Sequence, residues 1–249
     1  MKKKEINRFY EEFHKLENNP INIMMEDARY KLLKKLLKKV NGKILVIGCG
    51  SKDEMGSINK KSNGVGIDIS KTAIEKSKKR YPRFEYHIMD AINLKFKSNS
   101  FDVVVCSEVI EHIEDDERVL DEVRRVLKDS GTFIVTTPNW WSLYGLARKI
   151  AENLFKEPFT SDDQPIDNWS TPTSLRKKLS KYFKIKRFYG LWYYPPTGKG
   201  KIRIPGDALL PFFWLFYPVE FLLRRILPWF GHSMIFVCFK KTIKYQQGI

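Results

Sequence analysis

The sequence predicts an α/β fold with a doubly wound, mostly parallel seven-stranded sheet and a hydrophobic insertion before the last strand. Short apolar runs alternate with segments of helical periodicity between residues 26 and 136. Such a succession of strands and helices requires a parallel sheet with right-handed crossovers. Two further strand-like segments, 182–189 and 233–240, bring the number of predicted strands to seven.

The amino-terminal part carries a basic amphipathic helix and the first strand. Leucines and Val40 recur at helical spacing over residues 26–40, and lysines occupy the opposite face. Asn41 and Gly42 are expected to end this helix. Residues 43–47 then form a buried strand that leads directly into a glycine-rich turn.

Four short strands and two helices follow. Ser70 is placed to cap the helix that runs to Arg80. A stripe of apolar residues over 115–128 predicts the next helix, and Gly131 is expected to end it. The strands predicted in this part are residues 65–69, 84–89, 101–106 and 132–136.

The regular alternation lapses after Pro138, and Thr171-Pro172 then begins a basic helix that ends near Lys181. The apolar stretch 208–223 is the most aromatic part of the chain. It is too short to span a membrane and contains two prolines and Glu220. Pro218 is placed to open a helix in which Glu220 lies in the first turn, with Arg224 and Arg225 at its end.

The charge is strongly basic, with 45 Lys and Arg against 29 Asp and Glu and a formal net charge of +16. Lysine-rich surfaces attract phosphate backbones and anionic lipid headgroups alike, although the lysines could also serve solubility alone. The three cysteines are far apart and show no metal-type spacing with the histidines. The first ten residues lack the apolar stretch of a secretory signal, so a cytoplasmic location is expected.

A ligand site is predicted where the first two strands end. A glycine pair after a buried strand lets the backbone approach a ligand, and an acidic residue ending the next strand can accept hydrogen bonds from ribose hydroxyls. Gly48 and Asp68 have the twenty-residue separation that this arrangement needs. A dinucleotide fingerprint would place a third glycine where the chain has Asp53, whose carboxylate would repel a pyrophosphate but not a sulfonium ligand.

These motifs resemble those of the class I S-adenosylmethionine-dependent methyltransferases, particularly those related to quinone-biosynthesis methyltransferases. The resemblance spans residues 44–139 and implies a Rossmann-like methyltransferase fold with S-adenosyl-L-methionine as cofactor. The matching segments are residues 44–50, 64–70, 89–91, 101–112 and 131–139.

The resemblance also implies roles for particular residues. The glycines would hold the methionine part of the cofactor, Asp68 the ribose, and Asp90 with the Ala91 amide the adenine, while Ser107 would line the site. Arg29 could reach the methionine carboxylate, although a solvated helix arginine is the simpler account. The cofactor-binding residues so implied are Gly48, Cys49, Gly50, Asp68, Ile69, Asp90, Ala91 and Ser107.

The chain departs from the family pattern at two positions. Val46 stands where the family usually has an acidic residue, and Lys52 where it has a third glycine. Both departures bear on cofactor affinity, and they leave room for a catalytically silent, membrane-associated interaction protein.

Methyl transfer from a sulfonium depends mostly on holding the acceptor in line, so no nucleophilic side chain is required. If the acceptor is a hydroxyl, His112 is the candidate general base. Glu108, Glu111 and His112 would share one face of a helical turn, where they could bind magnesium as some relatives do, or merely cap and solvate the helix. Magnesium is an option that we do not expect.

The apolar insertion bears on the acceptor. It could pack on the core, form a tunnel for a lipid-like acceptor, or contact a membrane surface. The basic helix near Lys34 and a second basic cluster would support peripheral contact with an anionic membrane. That cluster consists of Arg176, Lys177, Lys178 and Lys181.

We therefore expect a methyltransferase that acts on oxygen or carbon of a small, lipophilic acceptor. The alternative is an RNA methyltransferase, suggested by the charge and by Trp192, Tyr193 and Tyr194 as exposed aromatics, although no RNA-binding module is recognisable in the sequence. A single domain is predicted over residues 1–249. Its parts are an N-terminal helical region 1–41, a cofactor-binding core 42–140, a substrate-side insertion 141–181, and the last strands 182–249 with an apolar insertion 191–231.

Overall fold

The computed structural model describes residues 3–14, 20–50, 54–156, 165–193 and 219–241. Its seven strands form one sheet in the order β3-β2-β1-β4-β5-β7-β6. Strand β7 is antiparallel to both of its neighbours, and the other pairs are parallel, so the predicted fold class is confirmed. The strands are β1 (Lys43–Ile47), β2 (Asn63–Asp68), β3 (Glu85–Ile88), β4 (Phe101–Ser107), β5 (Leu127–Pro138), β6 (Phe183–Leu191) and β7 (Ser233–Lys240).

Helices cover both faces of the sheet. They are α1 (Lys3–Phe13), α2 (Pro20–Leu37), α3 (Lys71–Arg80), α4 (Asp116–Val126), α5 (Leu143–Phe155) and α6 (Pro172–Tyr182), and residues 219–226 form a further helix that we call α7. Because side chains alternate along a strand, Leu45 and Ile47 pack with α4 and α6, whereas Ile44 and Val46 pack against α2. The sheet is therefore buried on both sides, as its apolar strands predicted.

The predicted helix starts at Ser70 and Thr171-Pro172 are confirmed, and two predicted helix ends are wrong. The Ser70 hydroxyl accepts from Ala73 N at 3.1 Å, and Thr171 caps α6. Helix α2 ends at Leu37 rather than at residue 40. The Asn59 side-chain amide donates to the carbonyls of Leu37 and Val40 just beyond this end. Helix α4 ends at Val126 rather than near Gly131, because residue 127 already pairs with β4.

Helix α5 was not predicted. Ser142 caps it by accepting from Gly145 N at 2.9 Å. Its apolar residues Leu143, Leu146, Ile150 and Leu154 are exposed rather than packed on the core. No helix in the described ranges has both the length and the apolarity needed to cross a membrane.

The expectation that Trp192 is exposed is wrong. Its side chain is only 5% exposed, and its backbone amide donates to the Glu220 carboxylate at 2.9 Å. Tyr193 is half-buried, with its hydroxyl donating to the Leu227 carbonyl. Tyr194 and most of the apolar stretch 208–223 lie outside the described residues.

Candidate functional site

The predicted ligand residues lie along one edge of the sheet. Asp68 ends β2, Gly48 follows β1 and Ser107 ends β4, and these strands are neighbours in that order. Asp90 and Ala91 follow β3 on the far side of β2. The edge lies at the carboxyl ends of the parallel strands, where open α/β sheets bind their ligands.

The two glycines of the turn after β1 adopt conformations that other residues rarely take. Gly48 has φ +63° and Gly50 has φ +47°. A β-carbon on Gly48 would lie 2.2 Å from Cγ2 of Val109. The turn therefore requires glycine at position 48 for both conformation and space. Lys52 and Asp53, which follow this turn, lie outside the described residues.

Asp68 is fixed to this turn by its carboxylate. One oxygen accepts from Gly50 N and the other from Ser70 N, both at 2.9 Å. Burial raises the pKa of Asp68, and the hydrogen bond from Ser70 opposes that shift. The carboxylate is thus held at the end of β2 with lone pairs left for further donors.

The remaining predicted residues extend this end of the edge. Ile69 is half-buried, Ala91 is buried, and Asp90 is half-buried with its carboxylate accepting from Ile92 N at 3.2 Å. Cys49 is fully buried with its sulfur packed toward Gly66, so only its backbone can contact a ligand. We call Gly48, Gly50, Asp68, Asp90 and Ala91 the glycine end of the edge.

Ser107 belongs to a buried polar network rather than to a free surface. Its hydroxyl is 3.1 Å from the Glu54 carboxylate and 3.2 Å from the Thr136 hydroxyl. Glu54 is 5% exposed and gave no signal in the sequence. Glu54 supplies a buried carboxylate a few residues after the glycine turn. Val46, which stands where the resembled family usually has an acidic residue, is itself buried in the sheet.

The account of Arg29 as a solvated helix arginine is wrong. Its side chain is buried, with Nε 3.5 Å from Glu54 Oε1 and Nη1 3.9 Å from Glu108 Oε1. Both distances are longer than a hydrogen bond. Arg29 therefore lies inside the site, between two carboxylates.

Glu108, Glu111 and His112 do not share a helical face, contrary to the prediction. Glu108 has φ +51° and precedes the short 3-10 helix Ile110–His112. Its Oε1 accepts from the hydroxyls of Thr136 at 2.8 Å and Ser233 at 2.9 Å. Among the described residues no three His, Cys, Asp or Glu side chains are arranged to hold a metal ion.

His112 lies beside the buried Glu111 and the amino-terminal helix. Its Nδ1 is 2.9 Å from the Ile166 carbonyl, which can only accept, so Nδ1 carries a proton and Nε2 is the nitrogen that holds the lone pair in the neutral form of the ring. Nε2 is 3.7 Å from Glu111 Oε1. Burial, then the neighbouring Glu108, raise the pKa of Glu111 well above its usual value.

Tyr10 of α1 reaches the same place, and the sequence gave no sign of it. Its ring centre is 6.2 Å from that of His112. Its buried hydroxyl has no hydrogen-bond partner in the described structure. Burial, followed by the charges of Glu111 and Asp167, raises the pKa of Tyr10, so the hydroxyl stays protonated and can donate.

An aromatic cluster occupies the other end of the edge, beside Glu108 and Ser233. The His232 ring packs on Tyr144 at 4.7 Å and on Trp169 at 5.2 Å, and Trp169 packs on Trp140 at 5.2 Å. Burial lowers the pKa of His232 to about 4, so this ring is neutral near pH 7. We call these four residues the aromatic end.

Arg148 packs against the aromatic end and is held there by two carboxylates. Its guanidinium lies 4.5 Å from the Trp169 ring centre and pairs with Glu152 at 2.8 Å and Asp167 at 2.5 Å. Asp167 also accepts from the Trp169 indole N–H at 2.7 Å. Arg148 and Glu152 lie on α5, whereas Asp167 and Trp169 lie in the segment before α6, so no local pattern could have grouped all four.

The residues at the glycine end fit S-adenosylmethionine. The left-handed glycines allow close approach to the turn, and Asp68 provides acceptors for the hydroxyls of a ribose.

A model of the family described as "Methyltransferase domain" matches residues 45–135. An uncharacterised protein of Methanocaldococcus jannaschii is 30% identical over 176 residues, covering 67% of this chain and 75% of that protein. A tRNA (carboxymethyluridine(34)-5-O)-methyltransferase of Xenopus tropicalis is 27% identical over 164 residues, 63% of this chain but only 25% of that enzyme. A demethylmenaquinone methyltransferase of Thermotoga maritima is 30% identical over 128 residues, 50% of this chain and 56% of that enzyme.

The fold is also found in solved structures. A Thermotoga maritima protein described as an S-adenosylmethionine-dependent methyltransferase, possibly a histamine N-methyltransferase, superposes with a TM-score of 0.62 at 19% identity. The match covers 95% of this chain and 98% of that one. At this identity the likeness concerns the fold.

Proposed function

Because this chain belongs to the class I S-adenosylmethionine-dependent methyltransferases, we propose that it transfers a methyl group to oxygen or carbon of a small, lipophilic acceptor. The cofactor is S-adenosyl-L-methionine, and the chain is an enzyme. When bound, the cofactor supplies a methyl group activated by the adjacent sulfonium. The acceptor class, the site residues and a cytoplasmic location are our proposals.

The observation that carries the acceptor proposal is the aromatic end. Trp140, Tyr144, Trp169 and the neutral His232 give the site a wall of packed rings at the same sheet edge as the glycine end. Aromatic walls of this kind favour flat, apolar ligands, which stack on ring faces. The similarity to a demethylmenaquinone methyltransferase points in the same direction.

We assign His112 as the general base for a hydroxyl acceptor. The Ile166 carbonyl holds a proton on Nδ1, so Nε2 is the ring nitrogen that would take the proton as the oxygen is methylated. Tyr10 would donate a hydrogen bond to the acceptor from its buried hydroxyl. Gly48, Gly50 and Asp68 would bind and orient the cofactor.

The test uses cofactor labelled on the transferred methyl group. The purified protein is incubated with a hydrophobic-solvent extract, with polar small molecules and with RNA, each in turn. We expect label in the hydrophobic extract. Label confined to polar compounds would contradict the lipophilic acceptor, while leaving the methyltransferase activity in place.

RNA is the second candidate acceptor. The similarity to a tRNA methyltransferase and the net charge of +16 favour it. Methylation of one defined tRNA nucleotide, with binding that weakens steeply as salt rises, would establish it over the lipophilic acceptor.

A further inference from the structure

Helix α5 is amphipathic, but its apolar face is exposed and its charged Arg148 is buried, which is the opposite of a helix that packs on a protein core. Its apolar residues Leu143, Leu146, Ile150 and Leu154 are 61%, 54%, 51% and 71% exposed. Their spacing of three, four and four places them along one face. Arg148, in contrast, is 5% exposed and pairs inward with Glu152 and Asp167.

Helix α7 repeats this reversal. Val219, Leu222 and Ile226 follow helical spacing and are 44%, 55% and 62% exposed. Glu220 is buried, where its carboxylate accepts from Trp192 N and pairs with Arg224 at 2.8 Å. In both helices the ion pair points into the protein and the apolar stripe points outward. A solvent-facing helix of an ordinary domain has the opposite arrangement, as α4 has here with its buried Val119 and Val123.

Both helices stem from the sheet edge that carries the site. Helix α5 follows the end of β5, and its Tyr144 packs on His232. Helix α7 is tied through Glu220 to Trp192, which follows the end of β6. The two strand ends meet the start of β7, where Ser233 pairs with both Pro138 and Leu191.

We propose that the exposed faces of α5 and α7 dock on an anionic lipid bilayer, so that the site works against a membrane surface. Charge complementarity selects this occupant. Lys149, Lys156 and Arg225 are exposed on or beside these helices, and no acidic side chain of the described structure pairs with them. Apolar residues flanked by basic ones are the pattern of helices that lie in the membrane interface.

The basic cluster singled out in the sequence is a weaker candidate for this surface. Lys178 pairs with Asp116, and Lys181 pairs with Glu117 at 2.6 Å, so their charges are already matched within the protein. The charges near α5 and α7 are not matched in this way. The proposed benefit of docking, access to a lipophilic acceptor, rests on the proposed function. The exposed apolar faces of α5 and α7 do not depend on which acceptor the enzyme uses.

The experiment measures binding of the full chain to vesicles without any acceptor or cofactor. Vesicles of phosphatidylcholine with a third phosphatidylglycerol are compared with pure phosphatidylcholine at low salt. We expect binding to the anionic vesicles, and about tenfold or greater weakening in the double variant Leu146→Gln, Ile150→Gln, which removes apolar contact without changing charge. Both positions are exposed, so the variant should fold.

A charge pair of variants provides the matched control. Lys149→Gln with Lys156→Gln should weaken binding roughly fivefold per lysine, whereas Lys78→Gln with Lys79→Gln, on the exposed side of α3, should have a much smaller effect. Equal losses in the two charge variants, with none in the apolar variant, would overturn the docking surface in favour of diffuse attraction.

Two other results would also overturn it. Absence of binding to anionic vesicles is one. The other is a dimer of the wild type that becomes monomeric in the Leu146→Gln, Ile150→Gln variant, because a second copy would then cover this face. Since no methyl transfer is measured, failure here is distinct from failure of the acceptor proposal.

Discussion

The two ends of the site edge are built in different ways. The glycine end is made by backbone conformation and by the carboxylates of Asp68 and Asp90, all within residues 48–91. The aromatic end joins side chains from residues 140, 144, 169 and 232, with Arg148 and Asp167 behind them. The first depends on local geometry and the second on long-range packing. We therefore expect substitutions at the two ends to separate cofactor affinity from turnover and stability.

The largest expected effect is on turnover. His112→Gln should lower kcat on the order of 10²–10⁴-fold for a hydroxyl acceptor, because the proton acceptor is lost. The dissociation constant for S-adenosylmethionine should stay within about twofold, because general-base catalysis acts on the acceptor's proton rather than on cofactor binding. Single-turnover rates and calorimetry measure the two quantities. His87→Gln, on the exposed side of β3, is the control. Equal changes in kcat and cofactor affinity would contradict a role for His112 that is confined to the acceptor.

The next effect is on stability in acid. The unfolded chain protonates His232 near pH 6.5, but the folded state resists protonation until about pH 4. The folded state therefore loses stability as pH falls through this window, by roughly 3 kcal/mol in all. His232→Phe should remove that part of the pH dependence. Urea unfolding at pH 7, 5.5 and 4.5 gives the difference in unfolding free energy between the two proteins. A constant difference across these pH values would show that His232 is not buried as a neutral ring.

A smaller loss is expected for cofactor affinity at the glycine end. Gly48→Ala places a β-carbon in a left-handed conformation beside Val109 and should weaken S-adenosylmethionine binding roughly 10–30-fold. Gly64→Ala is the matched control, because its β-carbon would meet Phe84 and Ile58 in the core, away from the turn. It should lower the melting temperature and leave the affinity unchanged. Equal loss of affinity in both variants would mean that general destabilisation is the cause.

The smallest effect concerns the start of α5. Ser142→Ala removes the cap from Gly145 N and should cost about 1 kcal/mol of unfolding free energy. For a chain of this size that lowers Tm by about 2–4 °C. Thr171→Ala, at the start of α6, should cost a similar amount. Cofactor affinity should be unaffected in both, and a loss confined to Ser142→Ala would show that the two ends are coupled.

Much of the fold could be predicted because its signals are local. Apolar runs at strand length, the Ser70 and Thr171 caps and the seven strands follow from neighbouring residues. Helix ends were less predictable. The end of α2 depends on Asn59, and the end of α4 on pairing of Leu127 with Phe101, both of which are tertiary contacts.

The site was predictable to the same extent. The glycine turn and Asp68 carry a fixed spacing, and the structure brings them together. Glu108, Glu111 and His112 suggested one helical face, but a left-handed backbone at Glu108 turns its carboxylate toward Thr136 and Ser233. Arg29 looked like a surface residue because the helical pattern shows which residues share a face but not which neighbour covers them.

The amino-acid sequence by itself determined the doubly wound sheet, the glycine turn and the family, because each depends on residues a few positions apart and on their order along the chain. Only the tertiary structure decided that Tyr10, Glu54, Arg29 and His232 meet at one edge, and that α5 turns its apolar face outward. Burial depends on which elements pack against a residue in the folded protein. A stripe of leucines has the same sequence pattern whether it faces the core or the solvent.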